Sequence, residues 1–231
     1  MRDSIAPKRK RAAGGVSPAK ARAFIMRHTA VASPPACPEI RLRLAPDLVA
    51  LWEAMETTFR AVQPTPFWAH AWVGGQALAR YLLDAPAVVA GRRILDFGAG
   101  GGLVAIAAAK AGGTWVTACD IDPMACAAIP LNAVLNGVQV DVVADDLLGR
   151  DLEENLVVLA GDVWYERHLA ERVTPWLRRL SAGGHTVLIG DRRRAFFPKS
   201  GLEPLAHYTI PTSTEVESET TSPAGVWRVQ P

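Results

Sequence analysis

The strongest chemical signal in the chain is an acid followed by alternating glycines: Asp96, Gly98, Gly100 and Gly102, within Ile94-Leu95-Asp96-Phe97-Gly98-Ala99-Gly100-Gly101-Gly102. An apolar run before it and the alanine-rich run Val104 to Ala111 after it predict a buried strand, a tight turn and a helix N-terminus. Glycines let the turn backbone approach a ligand where a Cβ would clash, and the helix start adds free N–H donors. A dinucleotide turn, G-x-G-x-x-G, takes a pyrophosphate. Here the order is D-x-G-x-G-x-G, and a carboxylate in the turn repels phosphate but can accept hydrogen bonds from a cationic amino group. Asp120 closes a second strand, Thr114 to Cys119, at about the distance of a ribose-binding acid. Asp122, just before Pro123, suits the cap of the next helix. Asp145 and Asp146 end a third strand, and Asp162 and Tyr165 follow the apolar run Leu156 to Ala160. Ligands of open α/β sheets lie beyond the carboxyl ends of the strands, so Asp162 and Tyr165 would face the reacting group. The plainer alternatives are a ligand-free turn, loop acids, and a helix cap for Asp162.

These residues need a frame of strands alternating with helices, which argues for an α/β, doubly wound, mostly parallel sheet. In chain order, a short helix is expected over 23–32, a half-exposed strand over 39–44 and a helix over 48–61 begun by Asp47. A helix over 77–83 follows Phe67-Trp68-Ala69-His70-Ala71-Trp72-Val73-Gly74-Gly75-Gln76. Its two tryptophans are either core beneath the sheet or a lid over a cofactor, with Trp68 taken as the contact. Pro130 should kink the helix over 123–135. A helix over 167–180, a strand over 185–189, a short helix over 202–206 and closing strands over 207–211 and 226–229 complete the sheet with an antiparallel end. The division is a basic tail over 1–22, an extension and lid over 23–85, and the main domain over 86–231.

Half of the 231 residues are apolar, enough for a sizeable core, and the formal charge is +2, which does not predict a nucleic-acid partner. Lys8-Arg9-Lys10-Arg11 lies in an Ala-, Pro- and Gly-rich tail that cannot bury a core and is read as disordered. Cys37, Cys119 and Cys126 have no metal-like spacing, the histidines are scattered, and no apolar run reaches a membrane span. A reducing compartment without disulfides, no metal and no membrane are expected.

The D-x-G-x-G-x-G turn resembles the first motif of class I (seven-strand, Rossmann-like) S-adenosylmethionine (SAM) methyltransferases. Pro66-Phe67-Trp68-Ala69, Gly74-Gly75-Gln76-Ala77-Leu78, Asp120-Ile121-Asp122-Pro123, Gly161-Asp162-Val163-Trp164-Tyr165 and Val226-Trp227 resemble one family within it, the lysine methyltransferases of the electron-transfer flavoprotein β subunit. The resemblance implies SAM as cofactor, held by Trp68, Gly75, Asp96, Gly98, Ala99, Gly100, Asp120, Ile121, Gly161 and, at the adenine amino group, Asp145 or Asp146. It implies Asp162 and Tyr165 as the D-x-x-Y catalytic pair and Trp164 along the lysine channel. The partner implied is the flavoprotein β subunit, with a ribosomal protein as the alternative. A monomer is expected, in the bacterial cytoplasm or, for a eukaryotic chain, the mitochondrial matrix.

One departure concerns the loop after the fifth strand, where the family usually reads Gly-Asp-Pro-Gly-Arg. Here Gly190-Asp191-Arg192-Arg193-Arg194 puts arginines for Pro and Gly, which predicts a reshaped and basic loop, suited either to an acidic substrate surface or simply to solvent. Rival chemistries fit less well. A planar nitrogen acceptor usually calls for Asn/Asp-Pro-Pro-Tyr, and Val163-Trp164 replaces both prolines. An RNA enzyme should carry a larger basic surface.

Overall fold

The computed structural model describes residues 16–152, 155–212 and 220–231. Residues 1–15, most of the tail, and residues 213–219, between the last two strands, lie outside the described residues. Helix α1 (Pro18–His28) starts earlier than its sequence suggests, because Ser17 caps it and Pro18 takes the first helical position. Residues 29–32 leave the helix, and β1 (Ala30–Ala32) pairs antiparallel with β2 (Leu42–Leu44). Asp47 begins α2 (Leu48–Phe59) by accepting from Val49 and Ala50 N–H. A 3-10 turn (Phe67–Ala69) leads to α3 (Val73–Asp84), which begins at Val73 rather than at Ala77.

The main sheet contains β3 (Arg93–Phe97), β4 (Thr114–Cys119), β5 (Asp141–Val143), β6 (Val157–Gly161), β7 (Thr186–Asp191), β8 (Leu202–Pro211) and β9 (Thr221–Val229). Their order is β5-β4-β3-β6-β7-β9-β8, with the first five parallel and β9 antiparallel to both neighbours. The helices between them are α4 (Leu103–Lys110), α5 (Pro123–Leu135) and α6 (Arg167–Ala182). The doubly wound sheet with its antiparallel end is as expected. The short helix over 202–206 is not: that stretch is the start of β8, where pairing with β9 from Leu202 onward outweighs local helix preference. α5 runs through Pro130 without a break.

Strand alternation divides the core between the two sheet faces. Ile94, Val157 and Leu159 pack under α3 and α4, whereas Leu95, Phe97, Val158 and Ala160 pack under α6. A third cluster lies outside this sandwich. Phe24, Ile25, Leu51, Met55 and Trp68 bury one side of α5 at Met124, Ala125 and Ala128. No helix among the described residues is long and apolar enough to cross a membrane.

Candidate active site

The carboxyl ends of β3, β4 and β6 gather the predicted acids. Gly98, Gly100 and Gly102 have φ of 66°, 52° and 83°, the left-handed backbone that favours glycine and closes the turn before α4. Asp96 is buried and accepts from Ala105 N–H at 2.8 Å, tying β3 to the first turn of α4. Burial pushes its carboxyl up to about 8, against the pull of that bond. Asp120 accepts from Gly100 N–H at 2.8 Å and Asp122 N–H at 2.9 Å, so it fixes the glycine turn as well as facing it. Asp122 caps α5 through Met124 N–H. Asp145 pairs with Arg150 at 3.0 Å and Asp146 with Arg172 at 3.6 Å, so neither acid is free of local partners. Ala99 lies within the turn, its N–H on Cys119 O, and Ile121 is 74% exposed beside it.

Asp162 is organised from three directions. A Cβ on Gly74 would collide with Gly190 O and come within 2.7 Å of Asp191 Cα, and one on Gly161 would reach 2.9 Å from Gly75 Cα. These glycines therefore let the first turn of α3 rest backbone-on-backbone against the ends of β6 and β7. That contact delivers Gly75 N–H to Asp162 Oδ2 at 2.7 Å. Trp72, at the cap position of α3, makes no side-chain cap bond, so Asp162 satisfies an orphan donor of α3 from across the chain. The capping alternative is thus realised on α3; α6, whose cap position is Glu166, has no side-chain cap.

The second oxygen, Oδ1, accepts from Arg194 Nη2 at 2.7 Å, and both side chains are largely buried. The guanidinium also lies over the Trp72 ring, 5.5 Å from its centre. Burial raises the Asp162 carboxyl to about 6, with Arg194 acting in the opposite direction. Asp162 itself has φ 56°, a strained backbone for a non-glycine residue. Phe67 joins the group, its ring centre 5.5 Å from both Trp72 and Tyr165. Tyr165 is 46% exposed, and burial of the rest of it raises its phenol.

Two tryptophans sit elsewhere than a lid or a channel would require. The Trp68 indole is buried in the third cluster, and its Nε1 has no protein partner among the described residues. Its backbone is what covers the glycine turn: a Cβ on Gly101 would meet Trp68 O at 2.7 Å. Trp164 is buried under α6 with Nε1 on Thr174 Oγ1 at 2.9 Å, leaving no surface for a substrate chain. The basic loop after β7 is not simply solvated, since Arg194 turns inward. Arg194 is the residue that sequence reasoning missed. The signal was the family's Gly-Asp-Pro-Gly-Arg, whose final arginine this chain keeps. Arg193 takes φ 63°, a left-handed backbone that favours glycine, at the position where the family has glycine. Among the described residues no group of three or more His, Cys, Asp or Glu could hold a metal ion.

Glycine-lined turn, strand-end acids and antiparallel sheet end define a Rossmann-like methyltransferase. The profile described as "Ribosomal protein L11 methyltransferase (PrmA)" matches residues 76–179. An electron transfer flavoprotein beta subunit lysine methyltransferase of Xenopus laevis is 41% identical over 91% of this chain and 87% of its own length. That of Danio rerio is 40% identical over 83% and 76%. A ribosomal protein L11 methyltransferase of Geobacter sulfurreducens is 39% identical, but over only 48% of this chain and 38% of its own. The chain belongs to the electron-transfer flavoprotein β-subunit lysine methyltransferase family.

Proposed function

We propose that Asp162 aims the target lysine and that the rim of Phe67, Trp72 and Tyr165 receives its side chain. The chain is a protein-lysine N-methyltransferase that uses SAM and acts on the electron-transfer flavoprotein β subunit, as supported by relatives matching most of their length. The observation that carries the site reading is the buried Asp162, pinned by Gly75 and Arg194 at the carboxyl end of β6 beside an aromatic rim.

The residues fit SAM rather than a phosphate ligand. Asp96 and Asp120 flank a turn whose glycines leave room for backbone approach; a Cβ at Gly98 would meet nothing nearer than Val163 Cγ1 at 3.5 Å. Gly98, Ala99, Gly100 and Gly161 would offer backbone, Asp120 a ribose acceptor, Asp145 or Asp146 an adenine acceptor, and Ile121 an apolar face. When bound, SAM supplies a methyl group whose carbon–sulfur bond breaks toward sulfur as the lysine lone pair forms the new carbon–nitrogen bond. Asp162 accepts a hydrogen bond from that nitrogen and sets its direction, while Tyr165 walls the channel. The lysine must first lose a proton, because an amine of pKa about 10.4 is mostly ammonium at neutral pH.

The enzyme is read as a monomer of a reducing compartment, the cytoplasm or the mitochondrial matrix. Its cysteines are unpaired, and burial raises all three thiols to about 12, which keeps them inert.

Transfer of labelled methyl from SAM to purified electron-transfer flavoprotein tests the whole reading. Label should appear on the β subunit, and Asp162→Asn should lower turnover by about 100-fold or more with donor affinity little changed. Label on a ribosomal protein alone would discard the substrate, and equal losses of turnover and donor affinity would discard the role of Asp162.

A further inference from the structure

A carboxylate beside a lysine has a drawback for methyl transfer. It hydrogen-bonds the nitrogen, but a bare carboxylate also stabilises the ammonium, which has no lone pair. The surroundings of Asp162 address this. Both of its oxygens are engaged, Oδ2 by Gly75 N–H and Oδ1 by Arg194 at 2.7 Å. The guanidinium stays charged at any pH the protein survives. It is held in place by the Trp72 face beneath it and by the turn in which Arg194 N–H donates to Asp191 Oδ1 at 2.8 Å.

We propose that Arg194 is a positioning residue that keeps Asp162 charge-compensated, so that the target lysine meets a hydrogen-bond acceptor but no net counter-ion and reacts as the free amine. This rests on the reading of Asp162 given above. The ammonium proton goes to solvent, the lone pair left on nitrogen forms the bond to the methyl carbon, and neither Arg194 nor Asp162 changes its protonation overall. Other groups face the same space. Asp191 at the end of β7 is buried, with Oδ2 unpartnered among the described residues. Tyr165 and Glu166 follow β6, Asp120 follows β4, and His70 packs 4.8 Å from Trp72 with its imidazole pKa lowered by burial. All of these are present in the wild type and the variants below; because Arg194 also lowers the pKa of Asp162, Asp191 and Tyr165, the lysine variant, which keeps the charge, is the reference against which the two uncharged variants are read.

The test is the pH profile of methyl transfer to electron-transfer flavoprotein at saturating SAM. Arg194→Gln removes the charge and keeps donors; Arg194→Met removes both and keeps an unbranched side chain of similar reach. Melting curves and SAM binding establish that each folds. Either variant should move the midpoint of the rising limb to higher pH by about one to two units. The rate near neutrality should fall about 10- to 100-fold, recover in alkali, and leave the KM for the flavoprotein no higher. Arg194→Lys should hold the wild-type midpoint. A uniform loss at every pH, an unmoved midpoint, or a lysine variant that behaves like glutamine would overturn the proposal. If instead Asp162→Asn transfers methyl as well as wild type, the reading of Asp162 itself fails and the role of Arg194 falls with it, whereas an unmoved midpoint in the Arg194 variants beside an impaired Asp162→Asn overturns the role of Arg194 alone.

Discussion

At the scale of single residues, the site holds two non-glycine residues in left-handed backbone, Asp162 at φ 56° and Arg193 at φ 63°. Asp162 has three partners to keep it there: Gly190 O on its N–H, Gly75 and Arg194 on its carboxylate. Arg193 has its guanidinium 5.6 Å from the Trp227 ring centre. Comparing Arg193→Gly with Arg193→Ala separates backbone from side chain, since both lose the cation. The glycine variant should be the more stable by about 1 kcal/mol, read as a higher melting temperature. Equal melting would mean that the loop relaxes around alanine. The placement of Asp96, Asp120 and Asp162 at strand ends was legible in the sequence because an acid closing an apolar strand is a pattern of spacing. Arg194 was marked only by the last position of the family's Gly-Asp-Pro-Gly-Arg, because an arginine in a basic run by itself says nothing of which way it points. Only the turn closed by Asp191 Oδ1 on Arg194 N–H turns it inward.

At the scale of elements, the decisive contact is α3 on β6 and β7. The sequence places a Gly-Gly pair before a helix; the structure puts that pair in the helix, since close packing needs regular backbone as well as missing side chains. A Cβ on Gly190 would strike Gly74 O and lie 2.8 Å from Leu78 Cβ, and neither neighbour can swing aside. Gly190→Ala should destabilise the protein by about 2–3 kcal/mol and also depress methyl transfer, because lifting α3 withdraws Gly75 N–H from Asp162. Denaturant melts with parallel activity assays would check both, and full activity in a destabilised protein would separate the packing from the site. The parallel strands and the antiparallel end were readable from strands alternating with helices, but the order of the strands was not. The start of β8 was not, because its residues alternate weakly and are held by pairing with β9.

At the scale of the whole molecule, burial of acids sets the pH response. Asp96 is raised to about 8, Asp122 and Asp162 to about 6, each chiefly by desolvation. A carboxyl with a raised folded pKa binds its proton more tightly when folded. Its contribution is therefore complete below the ordinary value near 3.8 and is lost as pH rises through 8 for Asp96. Wild-type melting temperature should fall between pH 6 and 8, and Asp96→Asn, which can still accept from Ala105, should flatten that fall; an unchanged slope would assign it to other groups. The separate extension read from the proline-rich sequence is more closely integrated than composition suggests. Asn136 exchanges hydrogen bonds with the Arg41 backbone, and Asn132 accepts from Arg43 N–H while donating to Gly101 O. One buried amide thus joins the N-terminal hairpin to the glycine turn. By reciprocity, any free energy with which a ligand orders that turn through Asn132 would equally fasten the hairpin, so loosening the hairpin should weaken whatever binds at the turn.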